Sequence, residues 1–232
     1  MLNEILNRLE ENPGSGVIFD LDSTLFDNGP RTWRILSEFA RHERRELIEP
    51  MQHLQRHRLP YDLGAICELA VPGEGAAIAE SVKGFWAKRF FSEDYIDFDE
   101  PITGAVEFVQ ACHQRHARVI YLTGRDVPGM IIGTSRSLRN WGFPIGVAGT
   151  GLVLKPRFEM PDPEFKAEAI RSINTHTPNV VATFENEAKN AIAFREIWPD
   201  AVHLLLETNW DPKHPTELRE TFDTIHDFRM ET

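Results

Sequence analysis

From Gly104 to Leu206 the chain alternates segments of helical apolar spacing with short, continuous apolar runs, and this alternation constrains the fold more than any other feature. The helical segments are Gly104 to His113, Pro128 to Trp141, Asp162 to Ile173 and Ala188 to Trp198. Between and after them lie Arg118 to Leu122, Leu152 to Leu154, Val180 to Phe184 and Ala201 to Leu206. A strand that is apolar on both faces has to be covered on both faces, which is the condition of a parallel sheet sandwiched between helices. Asp162 has a capping side chain and Pro163 a preset φ, so they open the third helix.

An earlier strand belongs to the same sheet. Leu2, Ile5, Leu6 and Leu9 predict an N-terminal helix that stops at Asn12-Pro13-Gly14, and Val17-Ile18-Phe19 follows as a buried strand ending in Asp20. The texture then changes. From Thr32 to Phe91 the apolar spacing is helical, punctuated by Pro50, Pro60 and Pro72-Gly73, and it predicts about four helices and no strand. The expected fold class is therefore α/β, a Rossmann-like three-layer parallel sheet with an α-helical cap. Residues 1–27 and 101–232 form the core and 28–100 the cap. An insert after the first strand stands over the carboxyl ends of the strands, where open parallel sheets bind ligands. Leu218, Phe222, Ile225 and Phe228 predict a terminal helix packed on the sheet.

The formal net charge of −11 repels phosphate backbones and anionic membranes at long range, so neither nucleic acid nor a membrane is an expected partner. No uncharged run approaches the ~18 residues of a membrane span. Cys67 and Cys112 form no C-x-x-C pair, and Met1 to Glu11 is too charged for a secretory signal, which points to a reducing, cytoplasmic setting. The nine His residues show no zinc spacing. Arg41 to Arg58, with five Arg, three His and three Glu, reads as a solvated mixed-charge face; steering of an anionic substrate is the alternative. The Trp residues fall mainly on helical faces and are expected in the core.

Chemistry concentrates at strand ends. Asp20 and Asp22, two residues apart, leave a strand on one side, and two such carboxylates repel unless a cation or a proton intervenes. Alone they are equally well a strand running into a capping turn. Thr123-Gly124-Arg125 after the strand Val119 to Leu122 is alone no more than a turn. Lys155 and Lys166 are alone ordinary surface lysines.

Taken together, Phe19-Asp20-Leu21-Asp22-Ser23-Thr24-Leu25, the strand ending in Thr123-Gly124, the lysine and the strand ending in Glu185-Asn186 resemble the motifs of the haloacid dehalogenase superfamily, in family order. The resemblance implies that Asp20 attacks a phosphoryl group and that Asp22 protonates the leaving oxygen and then activates water. It implies that Thr123 and Gly124 hold the phosphoryl oxygens. Lys166, opening the helix before the acidic motif, adds positive charge at Asp20, with Lys155 as second choice. Mg²⁺ would be held by Asp20, the main-chain carbonyl of Asp22 and Glu185. Arg125 either helps bind substrate or is a solvated loop charge.

Asp22 favours phosphoryl chemistry, because dehalogenases of the superfamily generally lack it. Glu185 and Asn186 depart from the pattern, which has Asp there; Glu is one methylene longer but still a hard oxygen ligand. The resemblance implies a phosphatase for a small phosphorylated metabolite: a sugar phosphate, a nucleoside monophosphate and phosphoglycolate all fit. A non-catalytic ligand-binding module, a phosphomutase and a carbon–halogen hydrolase are the competing readings.

Overall fold

Apolar spacing and strand alternation explain most elements of the structure, a computed structural model that describes residues 1–230. Helix α1 (Leu2–Glu11) buries Leu2, Ile5, Leu6 and Leu9 on one side and feeds strand β1 (Gly16–Phe19). A two-residue strand β2 (Phe26–Asp27) leads into an insert of four helices: α2 (Gly29–His42), α3 (Ile48–Gln52), α4 (Leu63–Ala70) and α5 (Gly75–Phe90). Strand β3 (Glu100–Pro101) pairs antiparallel with β2, so the chain leaves the insert beside the point where it entered. The second half runs α6 (Ala105–Gln114), β4 (Arg118–Asp126), α7 (Val127–Trp141), β5 (Thr150–Lys155), α8 (Asp162–His176), β6 (Val180–Glu185), α9 (Ala188–Ile197) and β7 (Val202–Leu206). It closes with a four-residue helix α10 (Thr216–Arg219) and β8 (Asp223–Ile225).

Six strands form one parallel sheet in the order β5-β4-β1-β6-β7-β8. The side chains of β1 and β4 alternate between two cores. Val17, Phe19, Val119 and Tyr121 pack with α1 and α6, whereas Ile18, Ile120 and Leu122 pack with α8 and α9. Three layers result, as expected for strands apolar on both faces. The insert has a core of its own, in which Leu36, Phe39 and Ala40 of α2 meet Ile66 and Cys67 of α4 and Ile78 and Val82 of α5. No helix among the described residues is long and apolar enough to cross a membrane.

The C-terminal segment differs from expectation. Its apolar residues are spaced like a helix, but Asp223–Ile225 adds a sixth strand to the edge of β7 and Glu207 donates its amide to Ile225 at 2.8 Å. A helix would have left the β7 edge unpaired. Phe228 then turns back to pack among Phe19, Phe108 and Phe184, with its amide on the Thr103 carbonyl at 2.9 Å. The tryptophans also differ: Trp198 alone is buried, and Trp141 is exposed. Both cysteines are buried and free.

Candidate active site

The strand order reverses at β1, whose neighbours are β4 and β6, and a parallel sheet opens a crevice at the carboxyl ends of such strands. Asp20 leaves β1 there, with its amide on the Phe184 carbonyl at 3.0 Å. Asp20, Asp22, Gly124, Arg125, Lys155, Lys166, Glu185 and Asn186 all line one cavity of about 460 Å³, bounded on the other side by residues of the insert.

Asp20, Lys166 and Glu185 are all nearly fully buried. The Lys166 ammonium donates to Asp20 Oδ1 at 2.9 Å and to Glu185 Oε2 at 2.7 Å. Lys166 is a buried residue in the first turns of α8. Lys155 instead binds Asp162 at 2.6 Å and supports the cavity wall. Burial pushes the Asp20 carboxyl up to about 8, with the neighbouring Glu185 adding to the rise and Lys166 opposing it. The same two carboxylates hold Lys166 firmly charged despite its burial.

Asp22 is held quite differently. Arg125 reaches both of its oxygens, at 3.0 and 2.7 Å, and Arg31 reaches Oδ1 at 2.9 Å. Burial would raise its carboxyl, but Arg125 and then Arg31 outweigh burial and hold it well below the usual carboxylate range. Both guanidiniums also contact the fully buried Asp99, at 2.9 Å from Arg31 and 2.8 Å from Arg125. Two acids and two arginines thus make one charge-balanced cluster, without which the buried Arg31, Arg125 and Asp99 would each carry a large desolvation cost. Arg125 is therefore no solvated loop charge. Arg31 and Asp99 escaped the sequence reading, although one signal was present: Arg31 shares a face of α2 with Ile35 and Phe39, four and eight residues on, which places a charge on an apolar stripe.

Thr123 departs from its expected position. It is fully buried and not among the residues lining the cavity, and its hydroxyl accepts the Arg125 amide at 3.3 Å where the register of β4 against β5 shifts after Thr123. Gly124 does face the cavity. A Cβ there would lie 2.7 Å from Asp162 Oδ2, so any side chain would displace the acid that anchors Lys155. Ser23 takes a left-handed φ of 59° in the turn after Asp22, a local strain of the kind that collects at functional sites.

The residues fit Mg²⁺ in part. Among the described residues no three His, Cys, Asp or Glu side chains converge into an all-protein metal cage. Mg²⁺ does not need one, since it binds through one or two carboxylates plus water and substrate phosphate. Asp20 and Glu185 supply those carboxylates. With the Asp22 side chain committed to arginines, its main-chain carbonyl is what it can offer. A cation held between Asp20 and Glu185 would favour the ionised form of the Asp20 carboxyl against its burial.

No family model matches the sequence, and no curated protein is significantly similar to it. Solved structures are. A provisionally named phosphatase from Clostridium difficile shares 12% identity, with a TM-score of 0.57 over 92% of this chain and 95% of its own. A provisionally named haloacid dehalogenase-like hydrolase from Burkholderia xenovorans LB400 shares 17% identity at a TM-score of 0.54, over 93% of this chain and 94% of its own. This is the haloacid dehalogenase fold. A dehalogenase superposes almost as well, with 11% identity, a TM-score of 0.53, and 94% and 95% of the two chains covered. The haloacid dehalogenase fold thus accommodates proteins named for both chemistries, and the reaction has to be argued from this chain's own residues. Arg41 to Arg58 contributes nothing to the cavity and lies largely exposed, as a solvated face does.

Proposed function

We propose that this chain is a hydrolase of the haloacid dehalogenase superfamily, a Mg²⁺-dependent phosphatase that acts on a small phosphate monoester through a phosphoryl group carried on Asp20. The observation that carries this reading is the Asp20–Lys166–Glu185 cluster: a buried carboxylate at a strand end, facing a closed-in cavity, with a fixed ammonium on one oxygen. Such an arrangement presents a nucleophile and positive charge to an anionic electrophile.

Asp20 forms the new bond to phosphorus as the ester P–O bond breaks, and Lys166 offsets charge on the phosphoryl oxygens. Mg²⁺, held by Asp20, the Asp22 carbonyl and Glu185, would supply further neutralisation there. The Gly124 amide would donate to a phosphoryl oxygen; Thr123 acts behind it, fixing the Arg125 backbone. Asp22 is the residue proposed to give the leaving oxygen its proton and later to take one from water. In the state seen here it is a clamped anion, so proton donation requires a guanidinium to move off first. Water attack on phosphorus then returns Asp20 and releases inorganic phosphate.

The second carboxylate favours phosphoryl transfer over carbon–halogen cleavage. The test is phosphate release from a panel of small esters with and without Mg²⁺. Release that depends on the metal and falls at least about 10³-fold in Asp20→Asn supports the proposal. Release that survives in Asp20→Asn, or chloride release from haloacids without metal, would overturn it.

A further inference from the structure

The charged side chains that line the cavity are already paired with other parts of the protein. Lys155 is taken by Asp162, Lys166 by Asp20 and Glu185, and Arg125 by Asp22 and Asp99. Asp126 caps the Gly129 amide, and Glu187 accepts from the Asp211 amide and faces His214. Three of the four amides are occupied too: Asn186 donates to the Asn209 carbonyl, Asn190 to Glu185 and Asn209 to the Leu59 carbonyl, and the Asn28 amide nitrogen alone is left without a hydrogen-bond partner. Apart from the Asn28 amide nitrogen and the Tyr61 hydroxyl, little polar lining remains to recognise a second anionic group or the several hydroxyls of a sugar, and an unmatched polar group brought into such a site loses its water without replacement.

Aromatic faces remain. Trp86 and Phe90 stack at 4.4 Å, Phe91 stands edge-on to both at 5.9 and 5.2 Å, and Phe158 stands edge-on to Phe91 at 5.2 Å. This row of rings crosses from α5 of the insert to the core loop before α8, and all four side chains line the cavity. Its two outer members, Phe91 and Phe158, are 40% and 50% exposed, so their faces are incompletely covered by protein. The row begins close to the chemistry: Arg31, which binds Asp22, lies 4.0 Å from the centre of the Phe90 ring and donates to the Phe90 carbonyl at 2.8 Å.

We infer that the cavity selects phosphate monoesters whose leaving group carries a flat aromatic ring, seated against Phe91 and Phe158. The inference rests on the phosphoryl-transfer reading above and narrows its substrate. A flat ring gains from stacked and edge-on contacts that a puckered ring of the same size cannot match. Arenes and nucleobases share this chemistry.

Two matched pairs of esters test it on the full chain with Mg²⁺: benzyl against cyclohexylmethyl phosphate, and adenosine 5′-monophosphate against ribose 5-phosphate. Members of each pair have leaving oxygens of the same type, so the ratio of kcat/KM reports ring recognition. A preference of about fivefold or more in either pair is expected; the first pair assigns a simple arene and the second a nucleobase. Phe91→Leu and Phe158→Ala should bring that ratio toward one, and reading a ratio within each variant cancels any general loss. Turnover with ratios near one in both pairs overturns the inference and leaves the phosphatase reading intact. Calorimetric binding of benzylphosphonate and cyclohexylmethylphosphonate supplies a readout without turnover. Tighter binding of the benzyl compound in a protein that hydrolyses nothing would sustain the aromatic site and overturn the phosphatase reading; equal binding would overturn the aromatic site.

Discussion

Asp20 and Asp22 are two residues apart and chemically identical, yet their surroundings drive them in opposite directions. Burial and Glu185 raise Asp20, whereas Arg125 and Arg31 depress Asp22. The raised carboxyl has a consequence for stability. Its folded value of about 8 exceeds the ordinary 3.8, so between these values the folded protein holds a proton that the unfolded chain has lost. Stability contributed by Asp20 is therefore complete below the ordinary value and is lost as pH rises toward 8. Without metal, Asp20→Asn should raise the melting temperature relative to the parent more at pH 8 than at pH 5; an equal effect at both would show that Asp20 is not perturbed. The clamped Asp22 is tested through leaving groups. If it donates the proton, Asp22→Asn should slow alkyl ester hydrolysis by roughly 10²- to 10³-fold and acetyl phosphate hydrolysis far less, since an acyl leaving group needs little protonation. Equal losses on both would make Asp22 solely an anchor for Arg31 and Arg125. Both acids were legible in the sequence because their motif is local. The Arg31–Asp99 half of the clamp was not, because its partners are brought together only by the path of the insert.

At the scale of elements, the strands that could be read are those with three or more consecutive apolar residues, such as Val17 to Phe19 and Leu152 to Leu154. The strands that could not be read are short or disguised. β2 and β3 hold two residues each, too few for any periodicity, and β8 lies in a stretch whose apolar residues happen to fall at helical intervals. What selects strand over helix there is the open edge of β7, a tertiary demand absent from local sequence. The same segment passes close to Gly104, whose φ is +78° and where a Cβ would lie 2.6 Å from the Phe228 carbonyl. Gly104→Ala should therefore destabilise the fold by about 1–3 kcal/mol, seen as a melting temperature several degrees lower. An unchanged melting temperature would mean that the C-terminal segment does not dock there.

For the whole molecule, the main consequence of the topology is that Asp22 and the insert share one cluster of charges. Arg31 opens the insert, Asp99 closes it, and Asp22 and Arg125 belong to the sheet. The insert is thereby pinned at its root while its helices pack on a core of their own. The cavity lies at this seam, where substrate would displace water and meet Asp20 from the sheet and aromatic rings from the insert. The central claim is that phosphate passes through Asp20. Its most direct test is to quench the protein with borohydride during turnover of a small phosphate ester with Mg²⁺ and to map the peptides by mass spectrometry. An acyl phosphate would be reduced, so the account predicts homoserine at position 20, absent when substrate is omitted. Unmodified Asp20 under conditions of rapid turnover, or reduction at another carboxylate, would contradict it.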